Sequence, residues 1–290
     1  LPFQKEMMGR IYLFLLLHLA GSLLAQTSGR PVPSGLGGSW AYSKRHTDAM
    51  SGMVNQAALA GFSQFRAACF AEKRFLLGEW QQLQMAASMP LPSGQIGLHL
   101  FYSGTATYRE TQAGLAFARN LGNRLDAGLQ FNYHAINLGA LYGNASAISF
   151  EAGTILHLSE KAHAGIHLKN PIGGKWNKSS AGKLPAVYRF GIGFDASAIF
   201  FAGIEMVKEE GQPVSIEAGL IYQPIPIIRI RAGMVSATAT AGMSLGFQKK
   251  GWSLDLTASY HPRLGISPGM ILAVTGSKRK NGNDHKSSLP

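Results

Sequence analysis

Three histidines pose the first chemical question. His157, His163 and His167 lie close together in the chain, and clustered imidazoles are metal ligands. Read as extended chain, all three fall on one face of a hairpin that turns at Ser159-Glu160. His157 and His163 then stand side by side. His163 and His167, four residues apart, are separated by roughly 13 Å along a strand, so one ion cannot take both. The pattern points to a polar lining and to no metal site.

Nine charged residues share that polar face: Asp126, Glu151, Lys169, Arg189, Glu205, Glu217, Arg229, Arg231 and Asp255. Both signs occur. Acids and arginines on facing strands pair and brace a wall; the sharper reading of the same residues is a selectivity filter. A catalytic carboxylate pair needs a fixed separation about a pocket, and this spacing supplies none. Gly191-Ile192-Gly193-Phe194 sits inside an alternating run and leads to no helix, unlike a nucleotide loop. The single cysteine, Cys69, can form neither an internal disulfide nor a zinc site by itself. No catalytic residue, cofactor or metal is expected, and the chain reads as a non-enzyme.

The elements that carry these residues alternate strictly. Leu125, Ala127, Leu129, Phe131, Tyr133 and Ala135 take one face; Asp126, Gly128, Gln130, Asn132 and His134 take the other. The same rule sets Tyr188, Phe190, Ile192 and Phe194 against Arg189, Gly191, Gly193 and Asp195. Period-two alternation marks strands with two unlike faces. Fourteen such segments are expected, at 62-75, 80-89, 94-103, 105-120, 124-137, 145-158, 161-169, 185-195, 197-208, 213-223, 226-235, 237-248, 251-262 and 267-276. Short turn signals join them, which predicts an all-β, up-and-down antiparallel barrel.

A soluble sandwich would show the same alternation. Length and aromatics favour lipid. Many segments reach ten residues, enough for a tilted span. Tyr102, Tyr108, Tyr133, Tyr222, Phe247, Trp252 and Tyr260 recur near segment ends, as interfacial girdles do. Charged residues make up only 14% of the 290 positions, against roughly 25% in ordinary globular chains. Glycine is plentiful at 35, and mean hydropathy is near zero. No interior apolar run reaches the length of a membrane helix.

Lys and Arg exceed Asp and Glu, giving a net charge of +12. They are scattered except at Lys278-Arg279-Lys280. No nucleic-acid module accompanies them, so the expected partners are outer-membrane lipid and lipopolysaccharide, not nucleic acid. Met7-Met8-Gly9-Arg10, the apolar stretch Ile11 to Leu24 and the small residue Ala25 have the three parts of a secretory signal. The expected organisation is a signal peptide over 1-25, a Gly/Ser-rich plug or hatch over 26-61, a transmembrane barrel over 62-276 and a disordered basic tail over 277-290. Residues 170-184 form the longest irregular loop. The expected location is a bacterial outer membrane.

The plug segment carries a resemblance. Ser39-Trp40-Ala41-Tyr42, Asp48-Ala49-Met50-Ser51 and Asn55-Gln56-Ala57-Ala58-Leu59-Ala60 resemble the lead-in to the first strand of FadL-like and PorV-like outer-membrane proteins. That family shows an Asn-Pro-Ala-x-Leu motif there. Asn55, Ala57 and Leu59 match it, and Gln56 stands in place of the proline. His261-Pro262-Arg263-Leu264-Gly265 before the last strand is compatible with the same family. The PorP/SprF-like group linked to type IX secretion in Bacteroidetes is a second candidate. The resemblance implies one of two roles. PorV-like barrels are partners of a secretion translocon and of surface proteins; FadL-like barrels pass hydrophobic solutes through a hatch and a lateral wall opening. With only one long loop, the chain is expected to be a partner or scaffold in surface protein export. A passive channel for small or hydrophobic solutes is the alternative.

Overall fold

A computed structural model describes residues 35–105, 107–139, 143–177 and 183–276. The expected signal peptide, residues 26-34 of the expected plug and the basic tail lie outside them. Among the described residues are fourteen strands: β1 (Arg66–Lys73), β2 (Gln81–Leu91), β3 (Gly94–Gly104), β4 (Arg109–Asn120), β5 (Leu125–Asn137), β6 (Asn144–His157), β7 (Ala162–Lys169), β8 (Val187–Asp195), β9 (Phe200–Glu209), β10 (Ser215–Ile225), β11 (Ile228–Val235), β12 (Thr240–Lys249), β13 (Trp252–His261) and β14 (Gly265–Thr275). Each pairs antiparallel with its neighbours in the chain, and β1 pairs with β14 to close the ring.

Every expected segment contains a strand, but some begin later. The first was expected from 62. Phe62 instead turns into the lumen, where it is buried and its carbonyl accepts a hydrogen bond from the Gln95 amide. The segment expected from 237 opens with a turn in which Ala239 takes φ 48°, and β12 begins at Thr240.

The outer face is apolar on strand after strand. Leu98, Leu115, Phe131, Ile148, Phe190, Leu220, Met243 and Leu256 all point out, with Phe131 67% and Ile148 73% exposed. Dozens of such side chains left in water would forfeit on the order of tens of kcal/mol. Lipid is the solvent that suits them, and a closed ring leaves no strand edge unpaired there. This is an outer-membrane β-barrel. Tyr102, Tyr108, Tyr133, Tyr188 and Tyr260 lie toward one end and Tyr222, Phe247 and Trp252 toward the other, the two interfacial belts.

The ends of the barrel differ. The turns after β2, β4, β6, β8, β10 and β12 are short, and the chain enters β1 and leaves β14 at the same end. In such barrels the short turns are periplasmic. The opposite, external end carries the loop from Asn170 to Ala186, of which 178–182 lie outside the described residues.

Residues 35–61 fill the interior. They form two short 3₁₀ segments, Ser39–Tyr42 and Gln56–Gly61, and one helical turn, Ser51–Val54. Leu36, Trp40, Tyr42, Met50, Val54 and Leu59 are buried. The wall makes room by omitting side chains. Gly193, Gly203, Gly219, Gly233 and Gly242 are register neighbours across β8 to β12. A methyl group at 233 would strike the Leu36 carbonyl, and one at 242 would meet Gly35. The plug's main chain runs along this glycine track. Beyond it, the Tyr42 ring covers Gly165 and Gly191, and Asn55 and Gln56 cover Gly153 and Gly128.

Candidate functional site

The plug is tied to the wall chiefly at three places. At the first, Arg231 on β11 donates to the Asp48 carboxylate at 2.7 Å, and its guanidinium lies 5.3 Å from the Trp40 ring centre. Beside it, Arg229 binds Asp255 on β13 through both Nη2 (2.6 Å) and Nε (3.2 Å). This pair reaches across β12 because Gly246 leaves the intervening space empty. The Asp48 carboxyl sits below the usual carboxylate range: burial pushes it up, and the charge and hydrogen bond of Arg231, with the charge of Arg229, outweigh burial.

At the second, the Tyr42 hydroxyl donates to Glu205 at 2.6 Å, while Arg189 holds the other oxygen of that carboxylate at 2.7 Å. Glu217 is buried next along the wall, beside Gly37. The Ser43 hydroxyl (2.7 Å) and the Lys44 main-chain N–H (2.9 Å) both donate to Asp195.

The third is the lead-in motif. Asn55 Oδ1 accepts from the Ala57 N–H at 3.0 Å and caps the 3₁₀ segment. Its Nδ2 donates to the Thr154 and Ile166 carbonyls at 3.3 and 3.2 Å. Gln56 therefore occupies the first position of a helical turn, where proline is favoured because the N–H there has no partner within the turn. Glutamine fits the same backbone and adds an amide that donates to Glu151. Ala57 and Leu59 are fully buried, Leu59 over Gly97. Glu151 also accepts from His167 (3.0 Å) and Asn132 (2.9 Å), with Lys169 at 3.9 Å.

The nine charged residues singled out in the sequence all stand at lumen-facing positions. Six of them serve two tasks, with Glu205 serving both. Arg189–Glu205 and Arg229–Asp255 brace strand to strand, whereas Arg231, Glu151 and Glu205 hold the plug. His157 and His163 meet at 2.9 Å through their Nδ1 atoms, and their outer nitrogens reach Asp126 (3.0 Å) and Asp195 (3.2 Å). His167 faces Glu151 instead. Among the described residues no three metal-ligating side chains converge on one point. Tyr42, Asp48 and Asp195, which anchor the plug, were not among the candidates: a non-periodic segment gives no sign of which wall residue it will meet.

Above the plug, on the external side, lies a pocket. Met53 of the plug, Leu184, Pro185, Val187 and Val207 give it apolar walls. Glu110, Glu151, Lys169, Arg189 and Glu209 bring charges of both signs to its lining, with the imidazoles of His134 and His167 among them. Its volume is about 50 Å³. An apolar cavity of about 150 Å³ takes up benzene, so an aromatic molecule would need the plug to give way. The side wall is continuous among the described strands. The β2–β3 ladder runs without a shift from Gln81↔Gly104 to Leu91↔Gly94, and the irregularity that does occur lies in β10–β11 between Tyr222 and Ile225. The lateral opening implied by the FadL-like resemblance is not present there.

No protein-family model matches the chain, and no curated protein sequence does. Solved structures do match in shape. The toluene transporter TodX of Pseudomonas putida superposes with a TM-score of 0.60 at 10% identity, covering 83% of this chain and 99% of its own. The CymD monoaromatic hydrocarbon channel gives 0.58 at 13%, covering 83% and 96%. A FadL homologue of Pseudomonas aeruginosa gives 0.56 at 11%, covering 86% and 99%. At such identities the likeness is one of fold: a fourteen-strand barrel of the kind found in FadL-type channels.

Proposed function

We propose that this barrel is a passive channel for small hydrophobic solutes, opened by displacement of its plug. The observation that carries the reading is the external pocket, where Met53 of the plug meets the apolar side chains of Leu184, Pro185, Val187 and Val207. A general porin needs a standing water column; here residues 35–61 occupy that space. What holds them includes ion pairs and hydrogen bonds that can exchange for water. A solute pressing on Met53 meets the segment between two ties, Asp48–Arg231 and Asn55–Thr154. The similar structures, a toluene transporter and a monoaromatic hydrocarbon channel, support the same solute class. The expectation of a partner in surface protein export draws no support from these likenesses.

The test is solute uptake into vesicles holding the full chain, with toluene and a small sugar as probes. Toluene uptake above protein-free vesicles, with sugar excluded, is expected. Deleting residues 35–61 should admit both. A barrel that passes neither solute with or without the plug would refute the channel reading.

A further inference from the structure

The outward faces of β13, β14, β1, β2 and β3 form a surface with no part in the passage. Register sets two rows of side chains across it. One reads Trp252, Val274, Ala67, Ala87, Leu98; the next reads Leu254, Leu272, Cys69, Met85, Leu100. Small residues fall in the middle and large ones at the sides. The result is a trough of about 350 Å³, lined almost wholly by apolar atoms, in the periplasmic half of the wall.

At its periplasmic end the trough runs into a second depression, of about 530 Å³; Ala67, Trp252, Ala273 and Val274 line both. This one is cationic, with Arg45, Arg66, Arg229, Lys249 and Lys250 in its lining. Its one acid, Asp48, is already paired with Arg231. Arg229 is held by Asp255, and Arg66 donates to the Thr47 carbonyl. Lys249 and Lys250 stand exposed at the rim, at the end of β12 and in the turn before Trp252. A tryptophan and two lysines at this level mark where headgroups lie.

An apolar trough that ends in exposed ammonium groups matches a molecule built the same way. We propose that this seam is a binding site for an anionic phospholipid of the periplasmic leaflet, with one acyl chain over Ala67, Cys69 and Ala87 and the phosphate at Lys249 and Lys250. Lysine serves here as a point charge for phosphate. A lipid without net charge gains the trough and little from the lysines. Two lysines near an anionic headgroup correspond to a preference on the order of tenfold.

Trp252 reports on the site. The full chain is placed in phosphatidylcholine vesicles doped with lipid brominated on its acyl chains, which quenches tryptophan on contact. The Trp252→Phe variant supplies the signal of the other tryptophans. Brominated phosphatidylglycerol should half-quench Trp252 at about a tenfold lower mole fraction than brominated phosphatidylcholine. Lys249→Gln with Lys250→Gln should erase the difference, and Ala87→Phe, which fills the trough, should weaken quenching by both lipids. A gel shift on boiling verifies that each variant is folded. Equal quenching by the two lipids in the unaltered chain would overturn the proposal. Stronger quenching by a brominated free fatty acid than by phosphatidylglycerol would overturn it too, assigning the seam to a free carboxylate amphiphile.

Discussion

Asp48 and Arg231 meet at 2.7 Å inside the barrel, one on the plug and the other on β11. Arg231 is fully enclosed, with 1% of its side chain exposed; Asp48 is the carboxylate it hydrogen-bonds, with the Asp255 charge and the Trp40 ring close by. The contact joins a segment without regular pattern to the middle of a regular wall.

Removing one partner of a buried pair leaves the other charge unmet, at a cost of about 3–5 kcal/mol. Arg231→Ala should therefore loosen the plug. Ion conductance in planar bilayers should rise, and trypsin should cut after Lys44 or Arg45 from the periplasmic side. The double variant Asp48→Leu with Arg231→Met, which removes both charges, should recover most of the closure. Unchanged conductance in Arg231→Ala would show that this tie does not hold the plug.

Acid should act on the same tie. The Asp48 carboxyl lies below its ordinary value in the folded chain, and the unfolded value is about 3.9. A depressed carboxylate stabilises fully above the unfolded value, and that stabilisation is lost as pH falls through the folded one. The plug should stay seated from neutral pH down to about 4 and loosen below. Conductance measured against pH should rise in that acid window, and Asp48→Asn should remove the part due to this group. An identical acid response in Asp48→Asn would count against the assignment.

Gly191 predicts a packing effect. A methyl group there would fall within the Tyr42 ring, and overpacking of this sort costs about 1–3 kcal/mol. Gly191→Ala should lower the temperature at which the folded gel band disappears. Tyr42→Ala in the same chain should restore part of the loss. If Gly191→Ala melts like the unaltered protein, the ring does not occupy the position described.

The lead-in motif separates two kinds of contact. Asn55→Ala removes a cap worth about 1 kcal/mol and two further hydrogen bonds to the wall. Gln56→Pro keeps the backbone of the turn and gives up one bond to Glu151, which retains His167 and Asn132. The first variant should melt well below the second. The reverse order would mean that the Gln56–Glu151 contact, not the cap, seats the segment.

The fourteen strands were legible because lipid and lumen ask for different residues at successive positions, and that demand writes period two into the sequence. Phe131 and Asn132 are neighbours in the chain, yet one is 67% exposed and the other 2%. The turn at Ser159-Glu160 likewise placed His157 beside His163. The plug was legible as composition alone. Its partners were not: Asp48 and Arg231 lie on segments that share no period, and only a closed ring brings them together. The glycines were visible one strand at a time. That Gly193, Gly203, Gly219, Gly233 and Gly242 form one track emerges only from the register of five strands.

The pairing of β1 with β14 has a consequence for assembly. The two halves of that junction are the first and last strands synthesised, so the cylinder cannot shut before the final strand exists. The plug comes before both. Its ties reach β6, β8, β9 and β11, strands that face one another across the lumen only as the ring closes. Seating of the plug is therefore tied to closure of the wall, and late, long-range closure of this kind is slow.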